Sequence, residues 1–197
     1  MTRTFASLVL CLLAVAMLAA ACGSKKTQTT TTEPVVQKLP QATTGQQWAN
    51  RIVNSFLRPL QRDLTVLNAL NVPDVRIYIA SANPQTISIL KRRMAHLGDC
   101  DKALLAIGPP PASSPRQRPI AAGLTRACGH YVNVAAAVLK AVPFLSSGRS
   151  DVIQRGEKLI QDSREDSRLA AVALGRAVCS AQKQREFQNA GLRPSTC

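Results

Sequence analysis

After residue 44, apolar residues recur at steps of three and four, which is the spacing of one face of an α-helix. This pattern predicts four helices, over residues 45–70, 84–107, 117–146 and 150–189. Short segments rich in proline, glycine and polar residues separate them, so consecutive helices should pack against each other in opposite directions. We therefore expect an all-α fold, an antiparallel up-down four-helix bundle.

Two prolines bear on the helix boundaries. Pro59 lies inside the first apolar stripe and has no amide proton, so we expect a kink there or two abutting helices. Asn83-Pro84 is typical of a helix start, with an N-cap residue followed by proline at the first helical position. The alternative is one longer helix from about residue 74, kinked at Pro84. In the first helix the residues expected to face inward are Trp48, Ile52, Phe56, Leu60, Leu64 and Leu67.

Residues 1–23 have the pattern of a targeting segment. Arg3 is followed by an unbroken apolar run of 14 residues, 8–21, whereas crossing a bilayer takes roughly 20 residues. The run ends in three alanines directly before Cys22. Small residues leading into a cysteine resemble the lipobox of bacterial lipoproteins. One departure is that Ala19 stands three positions before the cysteine, where that family usually has a large aliphatic residue.

The resemblance implies that a signal peptidase cleaves before Cys22, whose thiol carries a diacylglycerol with acyl chains such as palmitate. Two or more acyl chains give stable anchoring. The alternatives are an ordinary secretory signal cut after Ala21, which leaves Cys22 as a free thiol, and an uncleaved anchor, which the short apolar run disfavours. We expect export to the outer face of the cytoplasmic membrane.

The domain organisation follows from this segment. Residues 1–21 would be the signal peptide, and residues 22–44 a lipidated cysteine and flexible tether. The tether is rich in Thr, Gln and Lys and contains two prolines, a composition that cannot bury enough apolar surface to fold alone. Residues 45–197 would form the helical domain.

The chain has six cysteines, of which Cys11 would leave with the signal peptide and Cys22 would carry the lipid. The other four imply two disulfides in an oxidising compartment, with three possible connectivities. These four are Cys100, Cys128, Cys179 and Cys197.

The loop after the second helix selects one connectivity. Gly108 and three prolines end this helix, and the third helix should return antiparallel. Cys100 lies about seven residues before the loop, and Cys128 lies about ten residues into the next helix. Since each residue adds about 1.5 Å along a helix axis, the two cysteines lie at similar distances from the loop. We therefore predict the pairs Cys100–Cys128 and Cys179–Cys197.

The formal net charge of +14 predicts anionic partners. Beside a membrane these would be lipid head groups, an anionic envelope polymer or an envelope protein. Nucleic acid is the usual partner of so basic a chain, but export makes it unexpected here. The candidate anion-contacting residues are Arg51, Arg58, Arg62, Lys91, Arg92 and Arg93. The alternative is that they only solvate helix faces.

A metal or haem site is an alternative for the same chain. His96 lies one turn before Cys100 and His130 lies two residues after Cys128, which gives two cysteines and two histidines near one helix crossing. His130 should point to a different part of its helix surface, however, and thiolates would have to resist oxidation. Met94 or either histidine could ligate haem, but a methionine on an apolar stripe usually belongs to the core. We expect no metal and no cofactor.

Motifs for catalysis are missing from the sequence. It has no Gly-x-Ser-x-Gly elbow and no phosphate-binding glycine loop, and only two histidines could serve as bases. The expected function is therefore a lipid-anchored extracytoplasmic binding or accessory protein of the bacterial cell envelope, not an enzyme. The alternative is a helical bundle that binds a small ligand, haem or a metal.

Overall fold

The structure is a computed structural model that describes residues 39–70 and 79–194. Helices make up most of these two ranges, which contain no β-strand, so the predicted all-α class is confirmed. The elements are α1 (Gly45–Arg51), a π-helical segment (Ile52–Leu57), α2 (Arg58–Ala69), α3 (Pro84–Gly98), α4 (Cys100–Ile107), a short 3-10 turn (Pro115–Gln117), α5 (Arg118–Leu145), α6 (Ser150–Asp162), α7 (Arg164–Gln182) and α8 (Arg185–Asn189).

The first helical region changes from a π-helix to an α-helix just before Pro59. The amide of Arg58 donates to the carbonyl of Val53, five residues back, which closes a π-turn in place of an α-turn. Proline cannot donate to the carbonyl four residues before it. The π-turn lies in the stretch where the hydrogen bond from residue 59 is missing, and the chain remains helical through Pro59.

The second helical region starts at Pro84. The side chain of Asn83 accepts from the amide of Thr86 at 2.8 Å, which makes Asn83 the N-cap as predicted. Residues 82 and 83 are not helical, so a continuous helix kinked at Pro84 does not form. A start near residue 74 would fall in 71–78, outside the described residues. The region is broken once more, at Asp99 between α3 and α4.

The contacts between α5 and the fourth helical region, which consists of α6 and α7, run in antiparallel order. Residue numbers fall along α5 as they rise along α6 and α7. The facing pairs are Leu145 with Gly156, His130 with Asp166 and Gly123 with Ala177. The same order holds between α5 and the second region, where Gly98 faces Ala135 and Cys100 faces Cys128.

Helix α5 lies at the centre of this packing and contacts α3, α4, α6 and α7. Its buried residues include Leu124, Tyr131, Val134 and Val138. The segment Pro115–Leu145 is long and apolar enough to cross a membrane by length and composition alone. The core helix of a soluble domain passes the same test, and this helix contacts other helices on several sides.

Glycine at position 123 allows α5 and α7 to approach closely. A Cβ there would lie 2.9 Å from the Cβ of Ala177, an atom attached directly to the backbone. We expect Gly123→Ala to lower the free energy of unfolding by about 1 kcal/mol, because overpacking outweighs the gain in helix propensity. Gly129 and Gly175 are the controls, since a Cβ at either meets nothing within 4 Å.

Alanine at Gly129 or Gly175 should raise the free energy of unfolding by about 0.5–1 kcal/mol. Urea unfolding followed by circular dichroism measures all three variants. Equal stabilisation by the three would mean that α5 and α7 are further apart than the structure places them.

Candidate functional site

The disulfide Cys100–Cys128 joins the first residue of α4 to the middle of α5. The sulfur atoms are 2.00 Å apart and the Cα atoms 5.3 Å apart, so the predicted pair is present. Both residues are buried. A disulfide in the core of a domain is typical of proteins that fold in an oxidising compartment.

The other predicted cysteine roles are only partly within the described residues. Cys179, on α7, is disulfide-bonded. Its predicted partner Cys197 lies outside the described residues, and so does the predicted lipid attachment point Cys22. The pair Cys179–Cys197 and the lipidation therefore stay predictions.

The π-helical segment separates one candidate anion-contacting residue from two others. A π-turn takes about one residue more than an α-turn, so it rotates α1 by about 100° relative to α2. Arg51 is therefore offset around the helical region from Arg58 and Arg62, which follow the π-helical segment. Arg51 also donates to the carbonyl of Pro40.

The run Lys91-Arg92-Arg93 divides into two kinds of residue. Lys91 and Arg92 are exposed and form no ion pair with other described residues. Arg93 is half-buried, and its Nη1 lies 3.3 Å from Oδ1 of Asp63. Arg93 therefore forms an ion pair within the domain. The candidates that remain exposed are Arg58, Arg62, Lys91 and Arg92.

Asp63 is a buried carboxylate that the apolar stripe predicted from the sequence does not include. It lies on α2 and is 1 % exposed, and Nδ1 of His96 on α3 is 2.7 Å from its Oδ2. The sequence placed Leu64 inward instead, but Leu64 is half-buried. The available signal was the spacing of Leu60, Asp63 and Leu67, which puts the carboxylate on the buried stripe.

Both histidines of the chain are held by an aspartate through Nδ1. His96 contacts Asp63, and His130 contacts Asp166 at 2.7 Å. Cys100 and Cys128 cannot supply the thiolates of the metal alternative, because their sulfur atoms are bonded to each other. Within residues 39–70 and 79–194, no three His, Cys, Asp or Glu side chains are grouped to hold a metal ion.

Tyr131 is the only tyrosine of the two described ranges and belongs to the core. It is buried on α5, and burial raises the pKa of its phenol to about 12. The phenol therefore stays protonated at neutral pH. A buried, neutral phenol with this pKa is unsuited to act as a general base.

A cleft of about 670 Å³ lies where α1, α4 and α5 meet, and we call it the apolar cleft. This volume is in the range of small-molecule sites. Leu105 at the cleft is 67 % exposed, and Leu39 is 44 % exposed. Asp101 is the only charged lining residue among those described. The apolar lining includes Leu39, Trp48, Ile52, Leu104, Leu105 and Ile107.

No protein-family model, curated protein or solved structure matches the chain.

Proposed function

We propose that the chain is a lipid-anchored, extracytoplasmic binding or accessory protein of the bacterial cell envelope. The observation that carries this proposal is the buried Cys100–Cys128 disulfide, which suits a domain that folds outside the cytoplasm. The order of an apolar leader, Cys22, a polar tether and then a helical domain supports it. In this arrangement the domain is held at the outer face of the cytoplasmic membrane.

The domain would be an antiparallel up-down four-helix bundle. Such a bundle brings the starts of helices one and three to the same end as the finishes of helices two and four. The contacts at one end agree with this. Nε2 of Gln117 donates to the carbonyl of Gly45, and Nε1 of Trp48 donates to the carbonyl of Gly108. The ring of Trp48 also packs edge-on against Phe187, with centroids 5.8 Å apart.

The proposed partners are anionic. Removal of residues 1–21, in which Arg3 is the only charged residue, would leave the mature chain with a formal net charge of +13. This charge would draw it towards lipid head groups, anionic polymers or an acidic envelope protein. Four of the candidate residues would contact such a partner without first breaking an ion pair, because they are exposed and none is paired with another described residue. They are Arg58, Arg62, Lys91 and Arg92.

Lipid attachment at Cys22 is tested by labelling with a radioactive fatty acid in a bacterium that processes lipoproteins. We expect the wild-type chain to incorporate the label and Cys22→Ser to incorporate none, because the serine hydroxyl cannot form the thioether. Cys11→Ser is the matched control, since Cys11 would leave with the signal peptide, and it should be labelled like the wild type. An unlabelled wild type, or a labelled Cys22→Ser variant, would contradict the proposal.

The apolar cleft favours a second candidate function, the binding of a small apolar ligand. Exposed Leu105 at the cleft would be covered by such a ligand, which would remove apolar surface from water. A ligand of this kind would appear as extra mass in native mass spectrometry that is lost on denaturation. The protein would still be an envelope binding protein, with a small molecule as its cargo.

A further inference from the structure

A second depression, which we call the α5–α7 groove, runs between α5 and α7 and has a volume of about 490 Å³. It exists because the two helices present small side chains to each other. Gly123 on α5 faces Ala173 and Ala177 on α7. Larger residues at these positions would either fill the groove or push the helices apart.

The walls of the groove are apolar and partly open to water. Leu169 is half-buried, and Val172 is one of the few large apolar residues that are well exposed, at 40 %. Pro119 and Ala122 line the same groove from α5. An isolated exposed valine needs no explanation, but Val172 lines the groove together with other apolar residues.

Two arginines at the groove carry uncompensated positive charge. Arg126 of α5 and Arg176 of α7 both line it, and both are exposed. Neither forms an ion pair or hydrogen bond with another described residue. His130, which also lines the groove, contacts Asp166 through Nδ1. The apolar cleft has the opposite character, because its one charged lining residue is Asp101.

We propose that the α5–α7 groove binds a lipid with one acyl chain and a phosphate head group. The chain would lie along Leu169 and Val172, and the phosphate would bind between Arg126 and Arg176. A phosphate monoester carries a charge of about −1.5 to −2 at pH 7, which matches two guanidinium groups, and guanidinium binds phosphate in a bidentate manner. The volume is near the lower end of the range for small-molecule sites, which suits one chain better than two. This site does not depend on the lipid anchor.

The test uses the full chain with Cys22→Ser, so that no lipid is attached, and dodecyl phosphate as the probe below its micelle concentration. Isothermal titration calorimetry should give one site per chain. Dodecyltrimethylammonium, which has the same chain length and the opposite charge, should not bind there. Arg126→Gln combined with Arg176→Gln should weaken binding of dodecyl phosphate by about tenfold or more.

Arg155→Gln combined with Arg164→Gln is the matched control. Both residues are exposed and lie outside the groove, so this variant loses the same charge and should keep affinity within about twofold. Val172→Asp places a negative charge on an exposed wall position and should abolish binding without disturbing the core.

Three results would overturn the proposal. The first is wild-type affinity in the Arg126 and Arg176 double variant, and the second is an equal loss in the control. The third is binding of the ammonium probe that is as tight as that of dodecyl phosphate and is also lost in Val172→Asp. Dodecanoate binding as tightly as dodecyl phosphate would overturn the assignment of a phosphate head group. Loss of fatty-acid labelling at Cys22 would leave this site unaffected, so the two proposals fail independently.

Discussion

Replacing Cys100 and Cys128 together by alanine should lower the free energy of unfolding by about 3–4 kcal/mol. The disulfide closes a loop with a sequence separation of 28, and a closed loop of this length restricts the unfolded chain by about that amount. Burial of both residues adds a smaller loss when the sulfur atoms are removed. The bond also fixes the position of α4 along the axis of α5. Its loss therefore removes a constraint between these two helices.

Urea unfolding at neutral pH measures this effect, with the slope of the transition checked for two-state behaviour. The double variant is preferable to chemical reduction, because Cys179 is also disulfide-bonded and reduction would break both bonds. Cys179→Ser therefore serves as the control for the other disulfide. A loss of less than about 1 kcal/mol in the double variant would mean that the bond does not constrain the unfolded chain as the entropy model requires.

Removing both partners of Asp63 should be similarly destabilising. Asp63 is 1 % exposed and is compensated by Arg93 and His96. Arg93→Met combined with His96→Leu leaves a buried carboxylate without a cation or a hydrogen-bond donor from either residue, which typically costs about 3–5 kcal/mol. We expect a loss in this range at neutral pH.

Adding Asp63→Leu to that double variant should restore most of the lost free energy of unfolding. A buried charged cluster can be replaced by apolar side chains of similar volume with little loss. Both sets are compared by urea unfolding, and Arg92→Met is a control because Arg92 is exposed. No recovery in the triple variant would contradict the account of Asp63 as a buried charge that depends on its partners.

Much of the helical layout could be predicted because it depends on local spacing. The third helix was expected over 117–146 and forms over Arg118–Leu145, and the N-cap at Asn83 follows from a single dipeptide. Interruptions within the helical regions were harder to predict from the sequence. The breaks at Asp99 and Ser163 each involve one residue, and the apolar stripe passes through such a break with little change in spacing.

The π-turn illustrates a local feature that the spacing of apolar residues does not predict. The apolar residues Trp48, Ile52, Phe56 and Leu60 succeed one another at steps of four, which an α-helix and a wider turn both allow. Spacing alone therefore did not reveal the rotation that separates Arg51 from Arg58.

The Cys100–Cys128 pair was predictable because only two helices and one loop determine it. The two depressions were not, since each depends on side-chain sizes in helices far apart in sequence. Gly123 and Ala177, for example, are separated by most of α5, all of α6 and about two thirds of α7. Their contact defines the α5–α7 groove, and no sequence spacing connects them.

The intact mass of the mature chain, recovered from the membrane fraction of a bacterium that processes lipoproteins, tests the central proposal most directly. We predict a chain that begins at Cys22, with the mass of a diacylglycerol added to that residue. A chain that keeps residues 1–21, or one that begins at Cys22 without added lipid, would contradict the proposal that this is a lipid-anchored protein.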